Sequence, residues 1–308
     1  MTPSTTPADG TRPVVRRLAV TGATGFVGGA VARAARALGW EVHGYGSRDW
    51  DIALGPLADP PEVDAVVHAA AAVTDWGDDE RVRRVSVDGT RHVARTFPGA
   101  RLVHISSASV YDPFVPTVHA PESAAPVTRY LTAYAAAKAD AERVLAGRPD
   151  TVVLRPHAVY GPGDPTLLPR VLGAIRGRSL VIVGDGRVSQ SLTSIDNLVA
   201  AALAACTGEP GVYNVADARP VVLRDALREL LRERGLDVRL RHLPLRAAWH
   251  AAGVAEWAWR LAGAADPPRL TRYAISHLGY ERTLDLTAAR EGLGYRPAAT
   301  SFAGAAAW

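Results

Sequence analysis

A tyrosine and a lysine in the segment YAAAK, Tyr134 and Lys138, are spaced so that their side chains could do chemistry together. Four residues apart on a helix, they would lie on the same face, one turn apart. An ammonium group beside a phenol lowers the pKa of the phenol, which then exchanges a proton near neutral pH. Lys138 is the only lysine among the 35 basic residues of the chain. Because arginine serves everywhere else, we expect this position to require a compact cation.

Two serines, Ser106 and Ser107, end an apolar run in the segment ARLVHISS at 100–107. The carboxyl ends of parallel strands line the ligand crevice of such sheets, where a hydroxyl can hydrogen-bond a substrate carbonyl. Taken alone, the pair is equally compatible with a simple turn after a strand. Its place shortly before Tyr134 favours the functional interpretation.

Three glycines, Gly22, Gly25 and Gly28, lie in the segment TGATGFVG with the spacing GxxGxxG. They join an apolar run to the helical segment AVARAARALG. Backbone N–H groups at such a junction can hold a pyrophosphate, and side chains at these positions would block its approach. The alternative is a tight turn without a ligand.

The elements that must position these residues alternate along the chain. Short apolar runs at 14–21, 41–46, 64–71, 100–107, 150–156 and 211–217 are separated by helical stretches. This alternation predicts an α/β fold with a Rossmann-type, doubly wound parallel sheet. Beyond Pro220 the pattern is mostly helical, at 224–235 and 244–263. We therefore expect a flexible tail at 1–12. A dinucleotide-binding domain would comprise 13–157 and 191–217, and a smaller substrate-binding domain would comprise 158–190 and 218–308.

Composition excludes several classes of protein. A chain of 308 residues that is 48% hydrophobic is not intrinsically disordered. A single cysteine, Cys206, forms no internal disulfide and no metal-thiolate cluster, and no metal site is predicted. A net charge of +4, spread along the chain, does not indicate nucleic acid. No apolar run suits a membrane span or a signal peptide, so we expect a cytoplasmic protein with a small-molecule substrate.

These motifs resemble the extended short-chain dehydrogenase/reductase superfamily over nearly the whole chain. TGATGFVG is similar to its cofactor loop, HAAA at 68–71 to a strand end, SSASVY at 106–111 to its serine segment and YAAAK to its active-site helix. LRPHAVYGPGD at 154–164 resembles the strand that follows. Segments WG at 76–77, VGDG at 183–186 and LTRYAISHLGY at 270–280 are most similar to the bacterial 3β-hydroxysteroid dehydrogenase-like branch. That branch acts on bulky apolar hydroxy or keto compounds, including sterols and 2-alkyl-3-oxoalkanoates.

The resemblance implies roles for individual residues. Tyr134 would be the general acid/base, Lys138 would lower its pKa and hold the nicotinamide ribose, and Ser107 would orient the reacting oxygen. The cofactor-binding residues would be Gly22, Thr24, Gly25, Phe26, Val27, Gly28, Ser47, Arg48, Asp51, Ile52, Ala69, Ala70, Ala71, Ser106, Tyr134, Lys138, Pro156, His157 and Val159. Candidate substrate residues, any of which could instead be structural, are Trp76, Ser86, Ser109, Phe114 and Tyr160. The sequence departs from the family at Ser86, where many members have Asn, and at Asp112, where glycine is usual. Members are often homodimers packed through the helix that contains the active-site tyrosine.

The end of the second apolar run bears on the choice of dinucleotide. An NAD site places a carboxylate there for the adenosine ribose, whereas this chain has a glycine followed by Ser47 and Arg48. Arg48 can pair with a 2′-phosphate, and Ser47 can donate to it. We therefore expect NADP(H) to be preferred. NAD(H) stays an alternative because Asp49 and Asp51 lie close by.

Two other reactions of the superfamily lack their residues here. The family's dehydratases have an acidic pair after the serine, where this chain has Ala108 and Ser109. Its nucleotide-sugar epimerases often have RxxN, where this chain has Ala158 in place of Asn, and RDF, where it has QSL at 190–192. The residues therefore favour an NADPH-dependent reductase of a bulky, largely apolar ketone, with hydride from the nicotinamide and a proton from Tyr134. The alternatives are a nucleotide-sugar epimerase or reductase and a catalytically silent NADP-binding regulatory protein.

One predicted helix, at 244–263, carries an apolar stripe formed by Leu245, Trp249, Val254, Trp257 and Leu261. Such a stripe is most often packed core. Covering the substrate cleft and resting on a membrane surface are the alternatives.

Overall fold

The computed structural model describes residues 16–74, 76–264, 266–268 and 270–308. The predicted tail at 1–12 and the first two residues of the first predicted strand lie outside these residues. The fold is built around one sheet, against which helices pack on both faces.

The predicted apolar runs form the six strands of the central sheet. These are β1 (Arg17–Thr21), β2 (Glu41–Tyr45), β3 (Ala65–His68), β4 (Arg101–Ile105), β6 (Thr151–Pro156) and β11 (Gly211–Val215). Their order is β2-β1-β3-β4-β6-β11, and every neighbouring pair is parallel. The structure confirms the Rossmann-type doubly wound fold.

Alternate residues of β1 show how the sheet is buried on both faces. Leu18 and Val20 belong to one apolar core, which includes Val31 of α1 and Leu198 of α6. Ala19 belongs to the other, with Leu145 of α4 and residues of α3. Strands covered on both sides require nearly continuous apolar runs, which is the pattern that the sequence shows.

Ten α-helices surround the sheets in the described part of the chain. Their bounds are α1 (Phe26–Ala37), α2 (Asp79–Arg83), α3 (Gly89–Thr96), α4 (Ala133–Leu145), α5 (Leu167–Gly173), α6 (Ile195–Ala205), α7 (Leu223–Glu233), α8 (Leu245–Leu261), α9 (Arg272–Gly279) and α10 (Thr287–Gly292). A π-helical turn at Arg84–Asp88 joins α2 to α3. Helices α7 and α8 agree with the two helices predicted beyond Pro220.

Shorter strands connect the second half of the chain to loops above the central sheet. They are β5 (Thr117–Ala120), β7 (Val159–Tyr160), β8 (Ser179–Val183), β9 (Ser189–Gln190), β10 (Thr193–Ser194), β12 (Val221–Val222), β13 (Arg239–Leu243) and β14 (Arg282–Leu284). Strand β14 pairs with β5 and β9, β13 pairs with β8, and β10 pairs with β7. Because β5 and β7 follow β4 and β6 in the chain, these pairings hold the C-terminal elements near the carboxyl edge of the sheet.

The apolar stripe of α8 is only partly packed. Leu245 and Trp249 lie against a buried cluster that includes Val183 and Ile275. The outer three residues are exposed, with relative accessibilities of 67% for Val254, 65% for Trp257 and 69% for Leu261. The packed-core interpretation is therefore wrong for this half of the stripe, because no described element covers it. None of the described helices is long and apolar enough to cross a membrane.

Candidate active site

The glycine-rich segment forms a turn that side chains would obstruct. Gly22 has a left-handed φ of +70°, and a Cβ there would lie 2.8 Å from the backbone nitrogen of Ala70. A Cβ on Gly28 would lie 2.3 Å from the Gly22 oxygen. Helix α1 starts directly after Gly25, with no acidic residue in its first turn. Its free N–H groups and the narrow glycine cradle fit a dinucleotide pyrophosphate.

Other predicted cofactor residues lie around this turn. Thr24, Phe26 and Val27 belong to it or to the first turn of α1, and Ala69–Ala71 follow β3 beside Gly22. Ser47, Arg48 and Asp51 are exposed just after β2. The side chain of Ile52 is instead buried in the core against Gly89.

Gly46, the first residue after β2, is closely surrounded. A Cβ there would lie 2.8 Å from Thr24 Cγ2. The backbone N–H of Gly46 donates to the Asp49 carboxylate at 2.8 Å. A longer side chain at 46 would therefore press on the glycine-rich segment, and the nearest carboxylate is already engaged with the backbone.

Tyr134 and Ser107 meet beyond the carboxyl end of β4. Thr132 caps α4 by accepting from Ala135 N, which places Tyr134 in the first helical turn. The hydroxyl of Ser107 lies close enough to the phenol of Tyr134 to affect its pKa. Burial raises the pKa of Tyr134, and the hydroxyl of Ser107 lowers it in part. The raised pKa differs from the sequence expectation, because desolvation of the phenol outweighs the attractions around it.

Lys138 lies one turn further along α4 and is nearly inaccessible, with 4% exposure. Its Nζ donates to the Ile105 carbonyl at 2.7 Å. Burial lowers its pKa to about 8, and the negative charge of Glu142 opposes this shift. The ammonium is therefore hydrogen-bonded to the residue just before Ser106, and it loses its proton far more readily than an exposed lysine does.

A buried ion pair, which was not predicted from the sequence, joins α4 to β6. Arg155 binds Glu142 through Nη2 to Oε2 at 2.7 Å and through Nε to Oε1 at 3.0 Å. Ser106 Oγ donates to the same carboxylate. The available signal was spacing, because Glu142 follows Lys138 by four residues on the helix face of Tyr134. Ser106, predicted to bind cofactor, uses its hydroxyl to connect β4 with this pair.

Two buried histidines lie within the sheet near Lys138. His68 hydrogen-bonds Thr21 Oγ1 through Nδ1 at 2.7 Å and Thr90 Oγ1 through Nε2 at 2.9 Å. Its ring lies 5.2 Å from that of His104. Burial and the charge of Lys138 lower the pKa of His68 to about 3. Burial and the charge of Lys138 also lower the pKa of His104, so both rings stay neutral beside the lysine.

Pro156 is the last residue of β6, and His157 follows it. The His157 ring is hydrogen-bonded through Nδ1 to the Ser191 carbonyl at 2.7 Å and through Nε2 to His277 Nδ1 at 3.2 Å. Ala158 follows with a left-handed φ of +47°. Val159 starts β7. His277 lies in the motif LTRYAISHLGY at 270–280, but the sequence did not predict a catalytic or binding role for it.

Two of the predicted substrate residues contact other predicted segments of the site. Ser109 donates its N–H to Ser107 Oγ at 3.1 Å, and its own hydroxyl is buried without a partner among the described residues. Ser86 lies in the π-helical turn, where its Oγ accepts from Ala72 N at 3.4 Å, just beyond the HAAA segment.

The three predicted aromatic substrate residues are dispersed. Trp76 donates to the Ala264 carbonyl at 3.0 Å, so it contacts the end of α8. Phe114 packs under the guanidinium of Arg129. Tyr160 is buried against Phe302 and Trp308, and its hydroxyl donates to Asp217 at 2.8 Å. Its contacts are those of a packed core residue.

Comparisons with known proteins agree with this geometry. A sequence profile described as the NAD dependent epimerase/dehydratase family matches residues 18–216. The chain is 36% identical over 242 residues to a 4-hydroxy-2-methyl-3-oxo-4-farnesyl-3,4-dihydroquinoline-1-oxide ketoreductase of Stigmatella aurantiaca, covering 75% of this chain and 72% of the relative. It is 29% identical over 313 residues to a 2-alkyl-3-oxoalkanoate reductase of Shewanella oneidensis, covering 90% and 81%. The solved UDP-glucose 4-epimerase of Thermotoga maritima has a TM-score of 0.70 at 20% identity, covering 94% and 96%.

The matched region contains the glycine turn, Ser107, Tyr134 and Lys138. At its low identity, the epimerase structure supports the fold alone. The ketoreductase relatives support an oxidoreductase that binds NAD(P). The resemblance predicted from the motifs is thereby confirmed: this chain belongs to the NAD dependent epimerase/dehydratase family, within the extended short-chain dehydrogenases/reductases.

Proposed function

We propose that the protein is an NADPH-dependent reductase of a bulky, largely apolar ketone. The observation that carries this proposal is the placement of Ser107 beside the phenol of Tyr134, together with the buried ammonium of Lys138 one helical turn further along α4. The similarity to two ketone reductases supports the same reaction class. The substrates in the names of these relatives, one farnesylated and one alkylated, support an apolar substrate.

The glycine turn and the first turn of α1 would hold a nicotinamide dinucleotide, which would supply hydride for the carbonyl carbon. Ser107 donates a hydrogen bond to the carbonyl oxygen, and Tyr134 transfers its phenolic proton to that oxygen. The raised pKa of Tyr134 keeps the proton on the phenol at neutral pH, as a proton donor requires. The ammonium of Lys138 then stabilises the phenolate that proton transfer leaves behind.

Contacts of two candidate residues disfavour a nucleotide-sugar substrate. The guanidinium of Arg155 is buried and bound to Glu142, so it is not directed at a diphosphate. Gln190, at the position of the family's RDF arginine, donates to the Tyr280 carbonyl at 2.9 Å. If a UDP-sugar raised the melting temperature and a ketone did not, the epimerase alternative would replace our proposal.

The activity test compares the wild-type chain with Tyr134→Phe. We expect NADPH oxidation with apolar ketones to fall at least a hundredfold in the variant, because the proton donor is lost. Nucleotide affinity and melting temperature should stay close to wild type. Undiminished ketone reduction by Tyr134→Phe would contradict the assignment of the proton donor.

We also propose that NADP(H) is preferred, with Ser47 and Arg48 holding the 2′-phosphate. Both are exposed beside the glycine turn, and the crowding at Gly46 disfavours a ribose-binding carboxylate there. The variant Arg48→Ala should lower NADPH affinity about tenfold or more and leave NADH affinity unchanged, because a charge-assisted bond is lost. Arg84→Ala, an exposed arginine of the π-helical turn, is the matched control. Equal wild-type affinity for both dinucleotides would contradict the preference.

A homodimer in the cytoplasm stays a prediction from the sequence, and the roles of the individual site residues are likewise proposals. Chromatography with light scattering measures the oligomeric state, and the variants above test the roles of the site residues.

A further inference from the structure

Two neighbouring histidines have their proton positions fixed by a chain of hydrogen bonds. The Ser191 carbonyl can only accept, so His157 Nδ1, at 2.7 Å, must carry a proton. A neutral His157 therefore has a lone pair on Nε2, and His277 Nδ1, at 3.2 Å, must donate to it. A neutral His277 then has its own lone pair on Nε2. No described residue hydrogen-bonds to that nitrogen.

Both rings are neutral near physiological pH. Burial lowers the pKa of His157 to about 4, even though the Ser191 contact opposes the shift. Burial also lowers the pKa of His277, and the positive charge of Arg282 acts in the same direction. The guanidinium of Arg282 is itself surrounded by neutral oxygen acceptors, from Asp112, Pro113, Val115, Thr117 and Ser276. Its hydrogen atoms are therefore used within the protein rather than offered to an anion.

The histidine pair lies beside the proposed reacting groups. Strands β4 and β6 are neighbours, and Ser106 N donates to the Leu154 carbonyl at 2.8 Å just beyond β4. Ser107 and His157 therefore leave the same edge of the sheet on adjacent strands, which are about 4.8 Å apart.

Helix α9 brings His277 to this edge from the C-terminal part. Ser276, its neighbour on α9, donates to the Pro113 carbonyl at 2.7 Å, so the helix is fastened to the loop that follows Ser107. On its other side, the His277 ring stacks on that of His157 at 5.4 Å between centroids. His277 thus lies between the end of β6 and the serine loop.

We propose that His277 is a specificity-determining residue whose Nε2 accepts a hydrogen bond from a hydroxyl group on the carbon next to the substrate carbonyl. The inference rests on the proposed ketone reduction and names its substrate class, an α-hydroxy ketone. His277 is hydrogen-bonded to His157, which leaves the sheet on the strand next to that of Ser107, so a ketone bound at Ser107 would lie beside the histidine pair. The ketoreductase of Stigmatella aurantiaca supports this chemistry, because the substrate in its name carries a hydroxyl at position 4 and an oxo group at position 3. A carboxylate would face the lone pair of a neutral imidazole and is disfavoured.

The test uses two long-chain ketones that differ only in the α-hydroxyl, reduced by the full chain with NADPH. We expect wild-type kcat/KM to favour the hydroxy ketone at least tenfold, because the acceptor nitrogen is left unpaired by the other ketone. His277→Phe keeps an aromatic ring but no acceptor, and it should abolish the preference by slowing only the hydroxy ketone. His277→Gln, whose amide oxygen can replace Nε2, should retain part of it.

A variant of the partner ring tests the proton arrangement separately. The amide nitrogen of His157→Asn can still donate to Ser191, but its amide oxygen lies closer to the backbone than Nε2 does and is too short to accept from His277. Released from its fixed tautomer, His277 can place its proton on Nε2, and we expect an intermediate loss of the preference. If His277→Phe has a strongly lowered melting temperature, His157→Asn and His277→Gln carry the test.

The outcomes separate this inference from the proposed function. If wild type reduces both ketones equally well, or if His277→Phe slows both by the same factor, the role of His277 is refuted and ketone reduction stands. If wild type reduces neither ketone with either nucleotide, the proposed function fails and the inference fails with it.

Discussion

At the scale of single residues, the surroundings of the buried Lys138 explain why this position requires a lysine. Lys138 donates to a backbone carbonyl, lies one helical turn from Tyr134 and has Glu142 one turn beyond. An arginine would bring a planar, larger group that does not lose its charge in this range, whereas an ammonium fits a narrow site. The rarity of lysine in the chain thus has a physical counterpart in the crowding of this position.

The pH dependence of activity follows from this residue. Lys138 is a base whose pKa is lowered to about 8, so its charge is present below that pH and lost above it. We expect kcat/KM for ketone reduction to fall as the pH rises through about 8, measured as a profile from about pH 6 to about pH 10.

A second variant, Glu142→Gln, tests whether the alkaline limb of that profile belongs to Lys138. The negative charge of Glu142 raises the pKa of Lys138, so the variant should move the alkaline limb to lower pH. A profile that stays flat to about pH 10, or that does not move in the variant, would contradict the role of Lys138.

At the scale of elements, the strand–turn–helix unit from β1 to α1 depends on close backbone approach. Gly22 contacts the segment after β3, and Gly28 packs against the oxygen of Gly22. The turn therefore aligns the helix N-terminus with two strand ends simultaneously. The spacing of the glycines in the sequence suggested the turn. The contact of Gly22 with the segment after β3 joins residues far apart in sequence, so only the fold explains why glycine is needed there.

Gly28→Ala tests this arrangement. A Cβ placed 2.3 Å from the Gly22 oxygen must shift the turn, so we expect dinucleotide affinity to fall at least tenfold, measured by titration calorimetry. The matched control is Gly99→Ala, since a Cβ there meets nothing within 4 Å. Equal affinities in the two variants would show that the turn tolerates a side chain.

At the scale of the whole molecule, the carboxylate of Asp217 joins segments from the two halves of the chain. Oδ1 accepts from Ser194 N at 2.8 Å and from Asn197 Nδ2 at 2.6 Å. Oδ2 accepts from Tyr160 Oη at 2.8 Å and from Thr300 Oγ1 at 2.7 Å. The end of β11, the start of α6, strand β7 and the C-terminal segment therefore meet at one buried group.

Asp217→Ala should lower the free energy of unfolding by about 3 kcal/mol, because several buried donors lose their acceptor at once. Urea unfolding measures the change, and the exposed Asp185→Ala is the control, expected within about 0.5 kcal/mol of wild type. A similar stability for the two variants would show that water or neighbouring groups replace the carboxylate.

The sequence predicted the parts of this protein that depend on local pattern. Apolar runs gave the six strands, because strands covered on both faces must be apolar, and two C-terminal helices, α7 and α8, were found within two residues of their observed ends, whereas α9 and α10 were not predicted. The spacing of Tyr134 and Lys138 placed them on one helix face before any fold was known. The order of the motifs identified the superfamily, which the profile match confirms.

Tertiary structure alone decided which distant groups meet. The pairing of Glu142 with Arg155, the contact of His157 with His277 and the four bonds to Asp217 join residues from separate elements. It also decided the sign of the Tyr134 pKa shift and the exposure of Trp257, because both depend on what surrounds a side chain. Periodicity reports which face of an element is apolar, whereas burial, desolvation and hydrogen-bond partners exist only after the elements have packed.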